Sequence, residues 1–349
     1  MRASRRKENE RFMRVLVIGA TGAIGSRLLP QLRAAGHEVI GTSRSADKAK
    51  RLHALGADGV VVNVLDAGAV NKAVAATRPE AIIYEPTALA DVTDLRHFDR
   101  SFAVTSRLRT QGADHVIAAA RQYEVPRLIA QSYACHRYAR VGGPIQSEDD
   151  PLDPAPAARE AMGALAYLDN AVTAAGGIAL RYGSFYGQAD DPLVAAVQAR
   201  KFPIIGDGAG VWSFIHLEDA AAATVLALNH SGPTIYNIVD DEPAAVSVWL
   251  PELAKIVGAK SPLRIPRTMG RLLAGNVLVS FATESRGASN AKAKRELGWT
   301  PRYPSWRQGF VACYGRSSAQ QAAAVNGHLK VPGFGQEKVP TPIGQEVGM

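Results

Sequence analysis

The chain has 349 residues, 47% of them hydrophobic, and a net charge of +8, enough length to bury a large core as one domain or two smaller ones. Cys135 and Cys313 supply neither a disulfide framework nor metal-ligand spacing, and no apolar run approaches the roughly 18 residues of a membrane span. A cytoplasmic protein is therefore expected, with no metal site and no membrane partner. Half of the charge excess lies in residues 1–14, where Arg2, Arg5, Arg6, Lys7, Arg11 and Arg14 face Glu8 and Glu10. Without interleaved aromatics this leader reads as a solvated segment rather than a nucleic-acid contact, and Met13 is an alternative natural start.

The stretch Arg14-Val-Leu-Val-Ile-Gly19-Ala-Thr-Gly22-Ala-Ile-Gly25 predicts a strand buried on both faces, then a helix from about Ala23 to Ala35. Glycines three residues apart at that junction predict a dinucleotide cradle. Gly19 suits the tight turn, Gly22 lets the backbone approach a pyrophosphate, and Gly25 lets helix and strand pack closely, with phosphates at the helix N-terminus. Thr21, Ala23 and Ile24 complete the turn as candidate cofactor contacts.

His37 to Arg44 predicts a second strand, and Ala46 to Leu55 a charged helix. At the strand end, where NAD-preferring sites carry an acidic residue, stand Ser43 and Arg44; a cation there can pair with a 2′-phosphate, so NADP is expected rather than NAD. Gly59 to Val64 predicts a third strand, with Asn63 set to meet the adenine edge and Val64 beside it. Ala81 to Thr87 predicts a fourth. Ligands of such sheets gather beyond the carboxyl ends of the strands, which makes Pro86, Thr87 and Ala88 candidate cofactor neighbours. A long helix through Arg107 to Ala120 and a fifth strand, Arg127 to Tyr133, follow. Pro144 to Pro156 reads as a loop carrying Glu148, Asp149, Asp150 and Asp153.

Several segments in order carry a resemblance: Gly19-Ala-Thr-Gly22-Ala-Ile-Gly25, Leu180-Arg181-Tyr-Gly-Ser-Phe-Tyr186-Gly187, Phe214-Ile-His216-Leu-Glu-Asp219, Tyr236-Asn237-Ile-Val, and Lys292-Ala-Lys294-Arg-Glu-Leu-Gly298-Trp299-Thr-Pro301. From about Met13 to Phe310 the chain resembles the extended short-chain dehydrogenase/reductases, the superfamily that includes the NAD-dependent epimerase/dehydratases. The resemblance implies an α/β fold, a Rossmann doubly wound parallel sheet with a smaller C-terminal substrate domain. The NAD(P)-binding domain would span 13–185 and the mainly substrate-binding part 186–316, with a strand near 235–239 returning to the sheet. A disordered leader over 1–12 and a disordered tail over 317–349 would flank them. A small-molecule substrate is implied, and a homodimer, since members often pair through a helix bundle.

The chain departs from the family at its catalytic pair. Members use Tyr-x-x-x-Lys, in which the lysine lowers the pKa of a tyrosine one helical turn away and also bonds the nicotinamide ribose. No Tyr-x-x-x-Lys occurs in this sequence. Aligning Asp169 with the acidic residue that follows the pair puts Ala161 at the tyrosine position and Leu165 at the lysine position, and neither can move a proton. Substitute donors are Tyr133 and Ser132 after the fifth strand, and His136, whose ordinary pKa suits exchange near neutrality. Arg137, Tyr138, Tyr167 and Tyr186 are secondary candidates. His216 to Asp219 reads as a helix start capped by Asp219 or Glu218, and Gly206 to Gly210 as a turn.

Two functions fit. One is an atypical NADP-dependent oxidoreductase or epimerase-like enzyme acting on a small carbonyl, alcohol or sugar-nucleotide substrate. The other is a non-catalytic NAD(P)-binding sensor. A complete set of substrate-domain segments favours the enzyme, and the missing pair favours the sensor.

Overall fold

The computed structural model describes residues 12–89 and 94–315. The expected leader up to residue 11 and the expected tail over 317–349 lie outside the described residues. In chain order the elements are β1 (Arg14–Ile18), α1 (Gly25–Ala34), β2 (Glu38–Ser43), α2 (Ala46–Arg51), β3 (Asp58–Val61), α3 (Ala67–Thr77), β4 (Ala81–Tyr84), α4 (Phe98–Arg107), α5 (Ala113–Gln122) and β5 (Arg127–Tyr133). They continue with β6 (Ile145–Gln146), α6 (Arg159–Ala174), β7 (Ile178–Tyr182), β8 (Ser184–Tyr186), α7 (Pro192–Gln198), β9 (Ile204–Ile205), β10 (Val211–Trp212), β11 (Phe214–His216), α8 (Leu217–Ala227) and β12 (Thr234–Ile238). After these come α9 (Val246–Ile256) and α10 (Arg267–Glu284), the latter broken at Gly275.

Seven parallel strands form one sheet in the order β12-β7-β5-β4-β1-β2-β3. The chain winds outward from β1 through β2 and β3, then crosses to β4 and works the other way, which is a Rossmann-like doubly wound α/β fold. The strand order reverses between β1 and β4, and such a switch point opens a crevice at the strands' carboxyl ends.

β1 shows why a nearly all-apolar strand is needed here. Val15 and Val17 enter one core with Leu28 and Leu29 of α1 and Ala220 of α8, while Leu16 and Ile18 enter the other with Val74 of α3, Val116 of α5 and Leu168 of α6. Successive side chains point to opposite faces, so burial on both faces demands apolar residues at every position. Each such side chain contributes roughly 1.5–3 kcal/mol by leaving water. A separate core of Phe214, Trp249, Leu250, Leu253, Trp306 and Phe310 serves the C-terminal part of the chain.

Four expected elements differ in extent, the fourth strand stopping at Tyr84 rather than Thr87. The charged helix ends at Arg51 and tightens into a 3-10 turn over Leu52–Leu55, closed by Gly56 at φ 76°. The third strand stops at Val61, because the Asn63 side chain accepts from the Leu65 amide at 3.2 Å and turns the chain. The long helix expected through Arg107 to Ala120 is split into α4 and α5 by a π-turn, Leu108–Gly112. There the Tyr84 hydroxyl donates to the Leu108 carbonyl oxygen at 2.5 Å, and a Cβ on Gly112 would lie 2.5 Å from that hydroxyl.

Candidate active site

At the β1–α1 junction Gly19 has φ 92°, and a Cβ there would lie 2.8 Å from the Glu85 carbonyl carbon and 2.9 Å from the Pro86 nitrogen. Both the left-handed backbone and the contact with the end of β4 require glycine. Gly22 closes the turn by donating its N–H to Gly19 O at 3.0 Å. Gly25 is held against the turn itself, since a Cβ would come within 2.5 Å of Ala20 O. Thr21, Gly22 and Ala23 are exposed, whereas the Ile24 side chain is buried in the core and offers only its backbone outward. No side chain caps the start of α1; the Ser26 and Arg27 amides bond Gly22 O and Ile24 O, while those of Ala23, Ile24 and Gly25 make no hydrogen bond among the described residues and stay available to an anion. The cradle therefore fits the pyrophosphate of a nicotinamide dinucleotide.

The remaining cofactor candidates are distributed along the same edge. Ser43 is buried and accepts from the Ser45 amide at 3.2 Å, while Arg44 is exposed and has no hydrogen bond or ion pair among the described residues. Asn63 is exposed. The Val64 side chain is in the core, and its carbonyl lies 2.9 Å from His115 Nδ1. Pro86, Thr87 and Ala88 are half-buried, and the Ala88 amide is occupied by Thr105 Oγ1 at 3.0 Å.

Under this edge lies a carboxyl that the sequence reading did not single out. Glu85 is buried, and burial pushes its pKa up to about 8. The Tyr182 hydroxyl stands 3.2 Å from Glu85 Oε1 and 2.6 Å from Thr224 Oγ1, and Thr224 gives its own proton to Ala220 O at 2.8 Å. With the single Tyr182 proton directed to Thr224, Tyr182 accepts from a protonated Glu85, which agrees with the raised pKa. With its amide nitrogen turned toward the carboxyl, Gln131 donates to Glu85 Oε2 at 2.9 Å.

At the end of β5, strand alternation separates two of the expected donors. Ser132 is buried and its Oγ accepts from Arg137 Nη1 at 3.0 Å, so it belongs to a buried ionic network. Tyr133 faces the other way, with its hydroxyl 3.0 Å from Ser184 Oγ and its ring 5.9 Å from that of His136. Burial holds the Tyr133 phenol well above its ordinary pKa. The reading of His136 as a proton exchanger near neutrality needs correction. Its ring stacks on Phe281 at 3.9 Å, meets Trp212 edge-on, and holds Nδ1 2.7 Å from Ser285 Oγ; burial pushes its pKa down to about 3, so it is neutral at pH 7. Phe281 and Ser285 lie about 150 residues away in sequence, and no local signal in the segment around His136 announces them.

Ala161 and Leu165 are both fully buried in an apolar cluster with Phe98, Ala158, Met162 and Phe281, against which Phe102, Tyr133 and Trp212 pack. Phe98 stacks on Phe102 at 4.1 Å and meets Phe281 edge-on at 5.4 Å. The secondary candidates are committed elsewhere. Tyr138 donates to Asn237 Oδ1, Tyr167 donates to Asp114 on the surface, and Tyr186 is buried in the C-terminal core. The cap at the start of α8 is His216, whose Nδ1 accepts from the Glu218 amide at 3.1 Å, and not Asp219 or Glu218. Asp219 instead accepts from the Arg302 and Tyr303 amides, tying down the segment after Trp299. Gly206–Gly210 is a turn, with Gly206 and Gly208 at positive φ.

Behind β5, Asp169 Oδ2 accepts from Arg137 Nη2 at 2.7 Å and from Arg181 Nε at 2.8 Å, all three residues being buried. Arg109, in the π-turn, is only 8% exposed and makes no hydrogen bond or ion pair among the described residues. Burial lowers its pKa to about 10, the neighbouring charge of Arg137 lowering it further and that of Asp169 opposing the shift. The interrupting glycine at position 112 was the available sign of a break in this helix. Among the described residues no cluster of His, Cys, Asp or Glu could hold a metal ion, and no helix is long and apolar enough to cross a membrane.

A doubly wound sheet with a glycine cradle at its switch point defines a dinucleotide-binding Rossmann protein. More narrowly, the chain belongs to the NAD dependent epimerase/dehydratase family, whose model matches residues 15–239. A 3-diazoavenalumate denitrifying reductase from Streptomyces sp is 41% identical over 309 residues, 85% of this chain and 99% of that protein. The crystal structure of UDP-glucose 4-epimerase from Thermotoga maritima with UDP-glucose superposes with a TM-score of 0.69 at 20% identity, covering 90% of this chain and 100% of that one. The Thermus thermophilus UDP-glucose 4-epimerase in complex with NAD gives 0.66 at 22% identity, covering 86% and 98%. At these identities the two structures speak for the fold alone. The family and the reductase relative make the chain an NAD(P)-dependent oxidoreductase or epimerase-like enzyme.

Proposed function

We propose that the protein is an NADPH-dependent reductase of small, largely apolar, conjugated electrophiles, working without a Tyr-Lys pair. One observation carries this reading: Ala161 and Leu165 are packed against Phe98, Met162 and Phe281 at the positions aligned with the family's polar pair. Apolar packing in place of a polar pair leaves sugar hydroxyls without partners on this side and favours a flat apolar substrate. Arg44, exposed and without a hydrogen bond or ion pair among the described residues, supports a 2′-phosphate on the cofactor.

The bound nicotinamide would supply hydride. The aromatic side chains exclude water, and Tyr133, kept protonated by burial, is the hydroxyl that can give a proton to a carbonyl oxygen. The Streptomyces relative's name describes reductive removal of nitrogen from a diazo compound. For a diazonium group, R–N2+ + H− → R–H + N2 balances without any proton donor, which accommodates a site lacking the usual acid.

The test is a calorimetric titration with NADPH and NADH, followed by loss of reduced-nicotinamide absorbance with conjugated aldehydes, quinones, diazo acids and sugar nucleotides. Tighter NADPH binding and turnover of the apolar set are expected. Turnover of sugar nucleotides alone would overturn the substrate reading, and tighter NADH binding the cofactor reading.

A further inference from the structure

The fold does not account for the buried cation at position 109. Of three arginines that are 8%, 2% and 4% exposed, Arg137 and Arg181 share Asp169, while Arg109 has no hydrogen bond or ion pair among the described residues. One buried carboxylate thus stands against three guanidinium groups, of which Arg109 feels the field of Arg137 and Arg137 that of Arg181. A buried charge is strongly unfavourable without a partner, so an uncompensated one points to a ligand that supplies the partner.

The position of Arg109 says which ligand. It lies in the π-turn, an irregularity that recurs at functional sites. That turn is anchored on Tyr84, the last residue of β4, which pairs with Ile18 at the end of β1 just before the glycine cradle. On its other side the π-turn packs against α6, the helix that carries Leu165. Leu165 is aligned with the lysine that, in the family this chain resembles, bonds the nicotinamide ribose; here that position is apolar and fully buried.

We propose that Arg109 is the cofactor-side cation of this enzyme: delivered from the π-turn rather than from α6, its guanidinium takes the place of the absent lysine and donates to the nicotinamide half of the bound dinucleotide. A guanidinium presents several donors in a fixed fork, which suits adjacent oxygens. The inference rests on the cofactor-binding reading above.

It is tested by measuring cofactor-free melting temperature and the Kd for NADPH and NADH in wild type, Arg109→Leu, Arg109→Lys and Arg109→Gln. Arg109→Leu is expected to melt no lower than wild type, because it removes an unpaired buried charge, yet to bind both cofactors about tenfold to a hundredfold more weakly. Arg109→Lys should recover part of that loss. The loss should be equal for the two cofactors, since their nicotinamide halves are identical. Unchanged affinity in Arg109→Leu, with or without a raised substrate KM, would overturn the assignment; if that variant fails to fold, unchanged affinity in folded Arg109→Gln would do the same. Wild-type protein binding neither cofactor would overturn the function reading and this one together.

Discussion

The two halves of the sheet's carboxyl edge are built on different principles. Around β1 the site is made of backbone: Gly19 at φ 92° pressed on the end of β4, Gly22 closing the turn, and a helix start with no side-chain cap. Around β5 and α6 it is made of side chains, among them Ala161, Leu165 and a ring cluster around Phe98 and Phe281. A backbone cradle admits few substitutions, because any Cβ at Gly19 meets main-chain atoms, whereas a side-chain pair can be exchanged for apolar packing with no strain on the fold. The cofactor end can therefore stay recognisable while the reacting end diverges.

If the α6 side is held by its buried ionic network rather than by catalytic groups, Asp169→Ala should cause the largest loss. It strands Arg137 and Arg181 without their shared carboxylate, and a destabilisation of about 3–5 kcal/mol is expected in chemical denaturation. A change too small to measure would mean that the network is solvated. Tyr133→Phe comes next and sharpens the chemistry: reduction of a carbonyl should slow about a hundredfold, while a diazonium substrate should react at the wild-type rate. Equal slowing of both substrates would make Tyr133 a positioning group.

On the cofactor side, Arg44→Ala should weaken NADPH about tenfold and leave NADH unchanged, an asymmetry that titration reads directly. Equal losses would remove Arg44 from 2′-phosphate recognition. A pH-dependent effect comes from Glu85, whose folded pKa of about 8 lies above its ordinary 4.5. Between these values the folded protein keeps a proton that the unfolded chain has lost. Its contribution is thus complete below about pH 4.5 and declines as the pH rises toward 8, by at most about 1.4 kcal/mol per pH unit. Glu85→Gln should flatten that decline in melting curves taken across the window, and an unchanged slope would mean that Glu85 is ionised in the fold.

The amino-acid sequence by itself determined the Rossmann order, the cradle and the family. Those rest on local information: two-face apolar strands such as Val15-Leu16-Val17-Ile18, glycines at three-residue spacing, and segments such as Leu-Gly298-Trp299 that keep their order along the chain. It also contains no Tyr-x-x-x-Lys, which is legible because spacing within one helix is local. Only the tertiary structure decided what the remaining polar groups can do. His136 is neutral because Phe281, Trp212 and Ser285 surround it, Ser132 is turned into the Arg137 network while Tyr133 meets Ser184, and Arg109, in the π-turn anchored on Tyr84, has no hydrogen bond or ion pair among the described residues. Protonation and burial depend on partners brought together across long separations, and the pattern around any one of these residues does not encode which partners arrive.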